Sequence, residues 1–191
     1  MIYTVFDIET TGLKAYTDCV LQYACVYYDD VTGQLFSGKN VYLWEDDFNW
    51  SEEAYAVHKI DKDFLRSLPK EEMRSKYGLM FVTLSCANLM GFNSINFDYP
   101  FCKHFLSGRS VALEPALHHV DVMKEGAKVY GCRNGRIKLV ELAKRLGVTD
   151  EEIRKVQKRI FKIQTEAHDA TYDVISTVLC HKKLKERGYV V

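Results

Sequence analysis

Residues 2–8 (Ile-Tyr-Thr-Val-Phe-Asp-Ile) are β-branched and aromatic and read as a buried strand. That strand carries Asp7, and Glu9 follows two positions on. Residues two apart on a strand share a face. Two carboxylates side by side on a core strand repel each other and lose their hydration. A divalent cation is the simplest partner that offsets both costs. A lone Asp-x-Glu is a common pattern, so this reading depends on further ligands elsewhere in the chain.

The length of 191 residues suits one domain, 1–191, with a substantial core. At 47% hydrophobic and 27% charged, the composition is that of a soluble globular protein. No stretch is both apolar and long enough to cross a membrane. A first strand starting at residue 2 leaves no room for a signal peptide, so an intracellular, cytoplasmic location is expected. The six cysteines (19, 25, 86, 102, 132 and 180) lack zinc-site spacing and sit among apolar neighbours, which favours reduced core thiols.

Net charge is zero but unevenly spread. The N-terminal third is acidic, whereas 128–162 is rich in Lys and Arg against four acids. Such asymmetry fits a polyanion held beside a carboxylate site, although each basic residue taken singly reads as part of a solvated helix face. Overall neutrality argues against indiscriminate coating of duplex DNA.

Two further strands are expected at 20–29 and 34–44, joined by the turn Asp29-Asp30-Val31-Thr32-Gly33. Helices are expected from Ser51 and from Pro69-Lys70-Glu71-Glu72. A short buried strand follows near 87–90, then a helix near 97–106. Leu139, Leu142, Ala143 and Leu146 recur at helical spacing and stop at Gly147. Thr149-Asp150-Glu151-Glu152 is a capping box opening a basic helix, and a last helix is expected over 167–186. Three antiparallel strands followed by mixed helix and strand imply an α/β layer fold.

Two later segments supply acids of the required kind. Phe97-Asp98-Tyr99 places a carboxylate among aromatics, after Gly91-Phe92-Asn93. His168-Asp169-Ala170-Thr171-Tyr172-Asp173 places a histidine five residues before an aspartate at a helix start. Asp7, Glu9, Asp98 and Asp173 offer oxygen donors, which suit Mg²⁺ or Mn²⁺. His118-His119-Val120-Asp121 is a weaker metal candidate, because neighbours on an extended chain point opposite ways. His58, His104 and His181 have no partner in sequence.

These segments, 5–13, 91–101 and 168–173, resemble the three signature blocks of the DnaQ-like (DEDDh) 3′-to-5′ exonucleases of the RNase H-like superfamily. Val57-His58-Lys59-Ile60 is similar to a helix between the first two blocks, and Val120-Asp121-Val122 to an element after the second. His168, five residues before Asp173, matches the histidine branch. The tyrosine branch would need a tyrosine where Asp169 stands, so Tyr172 is not expected to be catalytic. In the second block Phe92 replaces the usual histidine, and the spacing from Asn93 to Asp98 is similar to that of the exonuclease I and three-prime repair exonuclease branches.

The resemblance implies an RNase H-like fold, with a mixed five-stranded sheet flanked by helices. It also implies 3′-to-5′ hydrolysis of single-stranded nucleic acid, DNA favoured over RNA, releasing nucleoside 5′-monophosphates in proofreading or repair. Two divalent ions would be held by Asp7, Glu9, Asp98 and Asp173, with Asp7 bridging them and His168 as general base. The backbone at Thr10 and Thr11 would meet the terminal 3′-hydroxyl, with Gly12 allowing close approach and Leu13 wedging the last base. Asn93 would contact substrate. The basic stretches 133–138 and 154–162 are candidates for tracking phosphates. A DNA polymerase is a possible partner. An exoribonuclease and a catalytically dead module that binds nucleic-acid ends or a polymerase are the alternatives.

Overall fold

The computed structural model describes residues 1–189. Its centre is a five-stranded sheet built from β1 (Ile2–Thr10), β2 (Val20–Asp29), β3 (Gln34–Tyr42), β4 (Asn88–Gly91) and β5 (His118–Asp121), in the order β3-β2-β1-β4-β5. The first three strands pair antiparallel; β4 joins β1, and β5 joins β4, in parallel. The mixed, three-antiparallel-first sheet expected from sequence is the one observed. In the tight turn from β2 to β3, Gly33 takes the left-handed conformation (φ 70).

Among the described residues, eight α-helices flank the sheet: α1 (Glu52–His58), α2 (Lys62–Arg66), α3 (Met73–Leu84), α4 (Asp98–Ser107), α5 (Val122–Val129), α6 (Leu139–Leu146), α7 (Asp150–Phe161) and α8 (Ala170–Glu186). β1 separates two cores. Tyr3 and Val5 pack with Val174, Ile175 and Val178 of α8 on one side. Phe6 and Ile8 pack with Met80, Leu84, Phe101 and Phe105 of α3 and α4 on the other. Burial of both faces explains why the first half of β1 is apolar but for Thr4.

Capping chemistry sets most helix boundaries. Ser51 accepts the Ala54 N–H, Thr149 that of Glu152, and Asp169 that of Thr171. α8 therefore starts at Ala170 and not at 167. Gly147 closes α6 in the left-handed conformation (φ 74). β3 stops at Tyr42, two residues short of the expected end; Leu43 and Trp44 turn into the core. α2 and α5 carry no clear sequence signal. α2 is five residues long, and Gly126 interrupts the pattern of α5 because its bare backbone lets Leu142 of α6 approach.

Candidate active site

One face of β1 reads Tyr3, Val5, Asp7, Glu9 and so passes from apolar core to carboxylates within one strand. α8 packs across β1 and β2. Its first turn thereby brings Asp173 over the acidic end of β1. Carboxylate oxygens of Asp7, Glu9 and Asp173 all lie within 4.8 Å of one another. The N-terminal end of α8, the positive end of the helix dipole, is aimed at this cluster. Asp98 opens α4 and is 3% exposed; its Oδ1 accepts the Ile8 N–H (3.3 Å), which anchors it beside the same strand.

Desolvation pushes the carboxyls of Asp7 and Glu9 well above the usual carboxylate range, and repulsion among the neighbouring acids adds to it. Burial likewise raises Asp98 and Asp173 to about 7. Hydrogen bonds from the backbone of Ile8 and of His168, respectively, pull the other way. Among the described residues, no lysine or arginine forms an ion pair with any of the four acids. Converging oxygen donors with no internal cation fit a hard divalent ion such as Mg²⁺ or Mn²⁺. Asp98 stands outside the tight group of three.

His168 is exposed and lines the same cleft as Asp7 and Asp173, with its backbone in the left-handed conformation (φ 68). A non-glycine residue held there marks a backbone constrained by its surroundings. The next residue, Asp169, caps α8 and is not among the clustered ligands. Tyr172 donates its hydroxyl proton to Asp150 (2.6 Å) and is thereby occupied, as its displacement from the tyrosine-branch position implies.

Gln22 is the residue that sequence reasoning missed. It sits on β2 directly opposite Glu9 and is fully buried. Its Nε2 donates toward Asp169 (3.2 Å), Asn40 (3.1 Å) and the Tyr42 hydroxyl (3.2 Å), and its Oε1 accepts the Ala170 N–H (3.2 Å). It thus ties the sheet to the first turn of α8. The available signal was an amide within an apolar strand, Val20-Leu21-Gln22-Tyr23-Ala24, where only a bonded polar group is tolerated.

The block after β1 is rigid. The Thr11 N–H, expected to meet substrate, already donates to the Cys19 carbonyl (2.9 Å), so that donor is occupied within the fold. The Thr10 hydroxyl donates to the Gly12 carbonyl (2.6 Å) and that of Thr11 to Asn49 (2.6 Å). A Cβ at Gly12 would overlap the Asp18 carboxylate, so the close approach it permits is an internal one. Leu13 is 84% exposed and no part of the core. The Asn93 N–H donates to Asp121 (2.9 Å), and Phe92 beside it lines the cleft.

The cleft is about 1010 Å³, with Asp7, Asp173 and His168 on its wall and the basic side chains Lys138, Lys144 and Arg154 around it. His119 does not join a metal group; its Nε2 hydrogen-bonds Ser94 (2.9 Å). His58 and His181 are buried, and His104 packs its ring against Tyr16. All six cysteines are free thiols. No helix among the described residues is long and apolar enough to cross a membrane.

Comparison with curated proteins finds no significant sequence relative. Among solved structures, E. coli exonuclease I in complex with a dA16 oligonucleotide superposes with a TM-score of 0.75 at 18% identity, covering 97% of this chain and 41% of that one. The moderately thermophilic exonuclease I from Methylocaldum szegediense gives 0.74 at 17%, covering 97% and 40%. Cell-death related nuclease 4 (CRN-4) gives 0.70 at 12%, covering 98% and 64%. The chain spans about two-fifths of the length of these exonuclease I chains. At such identities the likeness is one of fold. A family model described as the RNase_H superfamily matches residues 4–159, most of the chain, and with the sheet order and acidic strand above it shows that the protein belongs to the RNase H superfamily.

Proposed function

We propose that this protein is a metal-dependent 3′-to-5′ exonuclease of the DEDDh type, with the whole chain forming one catalytic domain. It would act on single-stranded DNA and release nucleoside 5′-monophosphates. The observation that carries this reading is the convergence of Asp7, Glu9 and Asp173 within 4.8 Å, on a cleft whose wall also presents His168. Exonuclease I structures solved with dA16 and dT13 oligonucleotides support nucleic acid as the substrate class.

Asp7, Glu9 and Asp173 would hold one divalent ion, and Asp7 with Asp98 a second. Such ions neutralise the phosphate charge and make water a better nucleophile near neutral pH. His168 accepts the proton of the attacking water, which its exposed position at the cleft permits. The His168 backbone lies near enough to the Asp173 carboxyl to favour its ionised form. Leu13, exposed in the loop after β1, would wedge the terminal base. The Thr10–Gly12 backbone and Asn93 would border the 3′ end.

The test is digestion of a 5′-labelled single-stranded oligonucleotide with Mg²⁺ or Mn²⁺, alongside a mismatched duplex end and a matched RNA. The expected result is a ladder of products shortened from the 3′ end. Asp7→Ala should abolish it. His168→Ala should slow hydrolysis by about 10²–10⁴-fold while leaving metal binding intact. Intact DNA and RNA across metals and pH would refute the reading, and faster digestion of RNA would make the protein an exoribonuclease.

A further inference from the structure

The basic face of α7 is not used by the hydrolytic site. Arg154, Lys155, Lys158 and Arg159 recur along one side of the helix, while Ile153 and Gln157 are buried on the other. Lys155, Lys158 and Arg159 are exposed and have no ion-pair partner among the described residues. Arg154 and Lys158, and Lys155 and Arg159, are spaced i to i+4, a like-charge arrangement that costs a helix stability. Asp150 and Glu151 oppose Arg154 and Lys155 at the start of the helix, but beyond them the face is basic alone and gains by neutralisation.

The face is also continuous with the cleft. Asp150 and Arg154 line both the main cleft and a second hollow of about 460 Å³, whose remaining wall includes Lys155, Lys158 and Glu151. Lys138, just before α6, and Lys144 within it stand at the main cleft as well. Of the acids near this path, Asp150 accepts from Tyr172 (2.6 Å) and Glu166 pairs with Arg154 (3.4 Å), while Glu151 lines the hollow. Arg154 Nε is buried and has no hydrogen-bond partner. The Gly38 backbone of β3 seats the end of this helix, since a Cβ there would come within 2.6 Å of Ile160 and Phe161.

We infer that the trough leading from the carboxylate cleft past Arg154 to Lys155, Lys158 and Arg159 is a track for backbone phosphates of a nucleic-acid strand, upstream of the end being processed. This rests on the exonuclease reading for the direction of the strand, but not for binding itself. Phosphate contacts of this kind are sequence-independent and salt-sensitive, and they reward length.

The test measures fluorescence anisotropy of labelled single-stranded oligodeoxynucleotides of about four and about sixteen nucleotides, without divalent metal and over a salt series. Wild-type protein should bind the longer strand more tightly. Lys155→Ala/Lys158→Ala/Arg159→Ala should lose roughly tenfold or more on the longer strand and little on the shorter. Its slope of log affinity against log salt should fall by about two, at about 0.7 per phosphate contact. Lys155→Arg/Lys158→Arg should bind like wild type, and an unchanged melting temperature would show that the alanine variant folds. Equal losses on both lengths, or an unchanged salt slope, overturn the track. Absence of hydrolysis with Mg²⁺ alongside intact length-dependent binding would instead refute the exonuclease reading alone.

Discussion

Asp98 and Asp173 keep their protons to about 7, whereas an aspartate in an unfolded chain ionises near 3.8. Between those two values the unfolded chain has released protons that the fold still holds, so raising the pH favours unfolding. Without divalent metal, the melting temperature should therefore fall as pH rises from about 4 to about 7. A bound ion stabilises the ionised folded form and should reverse the trend, by about 2.7 kcal/mol at a hundredfold excess over its dissociation constant. Thermal denaturation with EDTA, Mg²⁺ or Mn²⁺ measures both effects. A melting temperature insensitive to metal at neutral pH, in wild type as in Asp7→Asn, would contradict the ligand set.

Gln22 offers a second residue-scale prediction. Gln22→Glu sets a further carboxylate against Asp169 and removes the donor that holds the first turn of α8. Turnover should fall by about 10–100-fold, as when outer partners of metal ligands are lost. Michaelis constants, set by contacts farther along the strand, should change less. A fall in affinity with unchanged turnover would argue against the tie. Asp7, Glu9 and Asp98 were legible as charges in apolar settings, whereas Asp173 and His168 took their roles from the spacing of the family's third block. Gln22 breaks the same rule more quietly, since a neutral amide on a strand is cheaper to bury than a carboxylate.

Among the elements, those with their own caps or periodicity were legible. α6 and α7 were marked by Gly147 and by the Thr149 box, and β1–β3 by β-branched and aromatic runs. α5 was not, because its glycine serves packing with α6, a relation between elements that no local pattern carries. The seat of α7 on β3 is of the same kind. Gly38→Val would overpack Ile160 and Phe161 and should cost about 1–3 kcal/mol, read as a lower melting temperature. If α7 carries phosphates, this variant should also bind long strands less tightly than short ones relative to wild type.

For the whole molecule, the order of strands was the least legible feature. Nothing local to Asn88–Gly91 states that it pairs in parallel with the middle of β1, at Thr4 and Val5, yet that pairing sets Asp98 beside Ile8. The superfamily resemblance implied a mixed five-stranded sheet, which is observed, but the order β3-β2-β1-β4-β5 comes from the structure alone.

The cluster of Asp7, Glu9 and Asp173 draws its members from opposite ends of the described chain. β1 supplies the first two of these acids, whereas His168 and Asp173 come far later in the chain, at the start of α8. On the proposed mechanism, a chain truncated before α8 would lack both the general base and a metal ligand, however well its first strands had formed.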